Sequence, residues 1–263
     1  MEEEKEGEIE SPNGGSTARG RLERALTLVN ACYTNLFEQS PVMMHSIDEY
    51  WKLVGVNRKW LATLGYEAGD VLGRRSIDFL AEDSRAVAVS ETFPLFWRTG
   101  SARSVGYQMV RKDGRVLDVL LDADLDTDAT GTRRTLAALR ESHGQTGWEY
   151  SAAILRALLG LARVRRAIEA MLAVDATASA LTSWEHGDSP GQAVFGGQTE
   201  LVADLLEAVE DASAGLHTLG SILAGSAYTT EGEDAKLVML AENVVEFCGK
   251  LHWLTTAESA ETP

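Results

Sequence analysis

The 263-residue chain carries 24 Lys/Arg against 40 Asp/Glu, a formal charge of −16, with 44% hydrophobic residues. That content supports a buried core. The negative balance argues against nucleic acid or an anionic membrane as partner, since phosphate binding needs Lys/Arg to displace counterions.

Residues 1–18 open MEEEKEGEIE and continue through Pro, Asn, Gly and Ser with almost nothing to bury, so they read as a disordered acidic tail. The acidic start is unlike a basic signal peptide, and no run of about 18 apolar residues occurs along the chain. Cys32 and Cys248 stand far apart in no CxxC pair, which fits a reducing compartment and excludes a disulfide framework. A cytoplasmic protein is expected.

From Arg19 to residue 39 an amphipathic helix is predicted, with Leu22, Leu26, Val29, Tyr33 and Leu36 at steps of four or three. Ser40-Pro41 closes it, because the residue before proline disfavours the helical region. Strands follow over Val42 to Ile47 and Lys52 to Val56. Asn57 can cap a short helix bearing Trp60, Leu61 and Leu64, which Gly65 ends. Short turns over Glu67 to Leu72 and Ser76 to Leu80 precede one longer helix, Glu82 to Arg98. Strands then run from Arg103 to Arg111, Val116 to Ala123 and Thr132 to Leu139. Lys112-Asp113-Gly114 joins the first two as a hairpin, and Asp126 to Gly131 forms a further turn. Five strands with helices inserted after the second predict an antiparallel sheet with helices on one face.

Ser142 to Gly147 reads as a linker within 141–150, and residues 151–258 as helical. In Ala152 to Val174 a seam of Ile154, Leu158, Leu161, Ile168 and Leu172 skips a charged Arg165. A Gly/Pro/Ser-rich loop spans Gly187 to Gly197, with helices expected over Thr199 to Leu223 and Asp234 to Leu254. Residues 141–263 hold six Lys/Arg against eighteen Asp/Glu, so −12 of the formal charge sits there. This acidity reads as solvated helix faces, with a basic protein partner as the alternative. Arg163, Arg165 and Arg166 form a local basic strip.

The segment from Ser40 to Arg140 resembles a PAS sensor domain. The resemblance rests on Asn57, Trp60, Leu64, Gly65-Tyr66 and Leu72-Gly73 in VNRKWLATLGYEAGDVLGRRSIDFL, and on the hairpin GYQMVRKDGRVLDVLLDADL. It implies a cupped antiparallel sheet enclosing a pocket, which many relatives fill with haem, flavin or a small metabolite and others with side chains. Asn57, Trp60, Leu64, Phe79, Phe96, Tyr107 and Met109 are the implied ligand contacts; the same side chains also suit a packed core. Flavin photosensors of the family carry a reactive cysteine after Gly-Arg, but Gly73-Arg74 leads here to Arg75-Ser76-Ile77-Asp78. Haem relatives need an axial histidine, and 82–140 contain none. His45, on the first strand, reads as a surface or satisfied core residue. No cofactor is therefore assigned, and a small-molecule ligand remains open.

No kinase glycine box, cyclic-dinucleotide enzyme string, P-loop, GxSxG, HExxH or GxGxxG motif follows. His217, in Ala-Gly-Leu-His-Thr-Leu-Gly-Ser, faintly resembles a phosphotransfer histidine, with Gly220 where lysine is expected. Glu185, His186 and Asp188 are too close in sequence to make a metal site alone, and Cys248 with His252 supply only two ligands. The expected protein is not an enzyme. It is an α+β PAS-like module joined to an all-α C-terminal region, signalling through a ligand or a protein partner. The expected state is a homodimer built on the first helix and the Leu/Ile seam, with histidine phosphotransfer through His217 as the alternative activity.

Overall fold

A computed structural model of the chain describes residues 18–127, 131–142, 148–182 and 193–225. The acidic tail, the centre of the linker, the expected helix over Asp234 to Leu254, and Glu185, His186, Asp188, Cys248 and His252 lie outside the described residues.

Helix α1 (Ala18–Gln39) buries Ala25, Val29 and Leu36 along one stripe. Strands β1 (Met43–Asp48) and β2 (Leu53–Val56) pair antiparallel. Asp48 makes the bend between them, its carboxylate accepting from the Tyr50 and Lys52 amides at 2.9 Å each. Asn57 then caps α2 (Arg58–Leu64), accepting from the Trp60 amide, and Gly65 stops it at φ 78°. Helix α3 (Ala68–Val71) and a 3₁₀ turn over Ser76–Phe79 follow.

The single helix expected over Glu82 to Arg98 is divided. Helix α4 (Glu82–Val87) passes into a π-helical turn at Ala88–Thr92 and then α5 (Phe93–Thr99), with Pro94 in the first turn of α5. Proline has no N–H to give to the preceding turn and crowds the carbonyl behind it. A widened π turn accommodates both, and such turns collect at functional sites.

Strands β3 (Ser101–Val110), β4 (Val116–Thr127) and β5 (Arg133–Glu141) complete a five-stranded sheet in the order β2-β1-β5-β4-β3, every pair antiparallel. β4 runs four residues beyond the expected Ala123. The extension looks too polar for a strand, but Asp124, Leu125, Asp126 and Thr127 pair with Leu136, Thr135, Arg134 and Arg133. Its outward carboxylates are met by arginines: Asp124 by Arg103 at 2.6 Å, and Asp126 by Arg166.

Two cores lie on opposite faces of this sheet. On one face Trp60, Leu64, Phe79, Phe96, Tyr107 and Met109 pack over Met43, Ile47, Ala137 and Leu139. On the other, Met44, Leu136 and Ala138 share a core with α1 and α6 (Trp148–Thr182), and α7 (Ala193–Gly225) packs on α6. The inserted helices lie on one face, and α1 and α6 cover the other, toward which Met44, Leu136 and Ala138 alternate. The helix over Thr199 to Leu223 begins earlier, at Ala193, shortening the expected glycine-rich loop.

Helix α6 buries Ile154, Leu155, Leu158, Leu161, Val164 and Ile168 at about 1% exposure or less, so it is apolar nearly all round. It lies between α1, α7 and the sheet. The seam expected to make a dimer meets α1 within the chain, and Arg165 reaches the ring of Tyr33 with 5.7 Å to its centroid. α7 approaches closely because small residues face each other. A Cβ added at Gly160 would stand 2.5 Å from Ala212 Cα, and one at Gly215 would stand 2.7 Å from the Ala157 amide nitrogen.

Candidate functional site

A row of small side chains crosses the first of these faces. In register, His45 of β1 stands beside Ala137 of β5, Ala137 beside Ala123 of β4, and Ala123 beside Ala102 of β3. Three alanines in neighbouring strands leave room that leucine or valine would fill. The result is a cavity of about 50 Å³, roofed by Phe93, Phe96, Leu80 and Thr92 and flanked by Tyr107, Met109, Ser76 and Thr135.

Polar atoms face this apolar space without partners. His45 Nδ1, the Tyr107 hydroxyl and Ser76 Oγ are buried and make no hydrogen bond. Thr92 faces Tyr107 without closing a bond of normal geometry. Thr135 Oγ1 accepts from the Ile47 amide at 3.2 Å. His45 is 7% exposed and Tyr107 6%. Burial holds the His45 imidazole neutral, pushing its pKa down to about 4, and desolvation raises that of Tyr107. Buried polar atoms normally find partners, so three orphans in one cavity mark a place built to receive a polar group.

Of the residues expected to contact a ligand, Phe96, Tyr107 and Met109 line the cavity. Trp60, Leu64 and Phe79 instead form packed core. Trp60 and Phe79 meet edge to face at 5.6 Å, and Tyr66 joins Phe79 at 5.1 Å. Asn57 is a structural tie. Its Oδ1 accepts from Met44 and Trp60 amides at 2.9 Å, while Nδ2 donates to Phe37 and Val42 carbonyls at 3.0 and 2.9 Å. His45 is neither a surface nor a satisfied residue, since its Nδ1 lacks a partner. Sequence reasoning does not find Ser76, Thr92, Phe93, Thr135 or the alanine row; strand register aligns the alanines, and the packing of the inserted helices brings Ser76, Thr92 and Phe93 over them.

The space does not fit flavin or haem. Pockets for ligands of drug size span about 300–1,000 Å³, and a 150 Å³ apolar cavity takes benzene. Among the described residues no group of three or more His, Cys, Asp or Glu is placed to hold a metal. His217 is exposed on α7, one turn from Ala214 and Ser221. The Ser221 hydroxyl donates to its carbonyl at 3.0 Å. No helix among the described residues is long and apolar enough to cross a membrane.

Residues 31–95 match the family model described as a PAS domain. No curated protein matches the chain. Among solved structures, the chain is similar to the PAS domain of an HTR-like protein from Haloarcula marismortui. Identity is 26% and the TM-score 0.40, over 46% of this chain and 98% of that one. It is also similar to a PAS domain from a two-component sensor histidine kinase, at 13% identity and TM-score 0.38 over 45% and 99% of the two chains. The Rhodobacter sphaeroides LOV protein is similar at 20% identity and TM-score 0.40, over 63% and 99%.

Proposed function

We propose that this chain, which carries a PAS domain, is a cytoplasmic regulatory protein that reads the state of its cup and reports it through its helices. One observation carries this reading. Along β5, Thr135, Ala137 and Leu139 line the cup while Leu136 and Ala138 pack against α1 and α6. Occupant and helices are thus separated by one backbone strand. A ligand in the cup would act only by its differential affinity for two arrangements of those helices. The protein works by binding and not by turnover, with the exposed side of α7 as its docking surface for another signalling protein. A basic partner suits the exposed acidic face of α7, where Glu207, Glu210 and Asp211 lie. We extend the proposal to a homodimer, using surface other than the α1 and α6 stripes, which meet within the chain.

Ala137→Leu, which fills the cup from β5, tests this reading through amide hydrogen exchange across Ile154–Ile168 of α6. Altered exchange there supports it, and exchange identical to wild type refutes it. Light scattering of a monomer at high micromolar concentration would remove the dimer. Phosphotransfer stands as the second reading, favoured by the exposure of His217 and its small neighbours Ser213, Ala214, Gly220 and Ser221. It requires acid-labile phosphate on the protein that His217→Gln abolishes.

A further inference from the structure

The sensory reading leaves the chemistry of the occupant open, and the cavity narrows it; the ligand class inferred from its lining rests on that reading. A site for one water needs about 10–15 Å³, so about 50 Å³ has room for a molecule of roughly three or four non-hydrogen atoms. Its lining contains no carboxylate and no lysine or arginine; besides His45, Tyr107 is the other titratable side chain. A charged guest would be desolvated there without a counterion. Water alone would satisfy the buried polar atoms but would find no hydrogen-bonding partners beside Phe93, Phe96 and the alanines.

We infer that the cup takes a small uncharged molecule, apolar at one end and bearing one hydroxyl or carbonyl at the other. Its polar end sits on His45 Nδ1, and its apolar end lies along the adjoining Ala137 and Ala123. The π turn holding Thr92 and leading into Phe93 closes the site, so size selection resides in that roof. Nothing covalent is involved.

The test uses the full chain labelled with ¹⁵N-histidine, titrated with 1-propanol and, separately, with propionate of the same length. The expected result is a saturable shift of the His45 imidazole resonances with 1-propanol and none with propionate. Ala123→Leu, whose added side chain occupies the alanine row, should weaken the 1-propanol response about tenfold or more with the circular dichroism spectrum unchanged. If that variant does not fold, Ala102→Val makes the same test from the edge strand. No saturable shift with 1-propanol, an equal response to propionate, or undiminished affinity in the filled variant overturns the inference. A response to propionate alone would sink the ligand class yet leave a sensing cup standing. Unchanged α6 exchange in Ala137→Leu would instead sink the sensory reading itself.

Discussion

His45 should make the stability of this protein depend on pH in a window where few other side chains titrate. Its imidazole is buried beside Ala137 at one end of the alanine row, and burial holds its pKa at about 4, against about 6.5 for an unperturbed histidine. The unfolded chain therefore takes up the proton first as pH falls. Stability conferred by the neutral, buried ring is fully present above about pH 6.5 and is lost progressively down to about pH 4. Each pH unit inside that window removes about 1.4 kcal/mol, for a total of about 3 kcal/mol. Solubility restricts the useful range, because the isoelectric point is about 4.7. Between about pH 6.5 and 5.3 the expected loss is on the order of 1 kcal/mol. His45→Leu and His45→Gln lack the titrating group, so the comparison is the difference between wild type and variant in urea unfolding at each pH. Carboxylate titrations common to both cancel in that difference. Parallel pH curves for wild type and both variants would refute a neutral, buried His45.

Three more outcomes are expected from the packing. Gly160→Ala should destabilise by about 1–3 kcal/mol, although the same change at Gly220, whose added Cβ meets nothing within 4 Å, should stabilise by about 0.5–1 kcal/mol; thermal unfolding of the pair checks the opposite signs. Asn57→Ala should lose about 2–4 kcal/mol, since it removes the α2 cap and leaves buried amides and carbonyls unmatched, and Asn57→Asp should recover part of this by keeping the acceptor; chemical denaturation reads both. Arg166→Met should cost about 1–3 kcal/mol by leaving Asp126 partly buried without its cation, read by chemical denaturation.

Local signals in the chain are legible where a single residue type enforces a backbone state. Asn57 caps and Gly65 stops α2 because the side-chain acceptor and the positive φ are needed at those positions whatever surrounds them. Lys112-Asp113-Gly114 turns the β3–β4 hairpin for the same reason, with Gly114 at φ 82°. The end of β4 is not legible in this way, because Asp124 and Asp126 look like turn residues until their partners are known. Those partners are Arg103 and Arg166 on α6, each distant in sequence. The π turn before α5 falls inside the single helix expected over Glu82 to Arg98, where Pro94 points to a break.

Residue type and period thus determined the five strands, the inserted helices and the amphipathic α1, because each depends on neighbours a few positions away. Tertiary structure alone decided that Ala102, Ala123 and Ala137 fall side by side next to His45, since alignment across strands is set by register and not by spacing along the chain. It likewise decided that the α6 seam meets α1 and the sheet within one molecule. An apolar stripe specifies that it must be covered, while its covering partner is chosen by the packing of the whole chain.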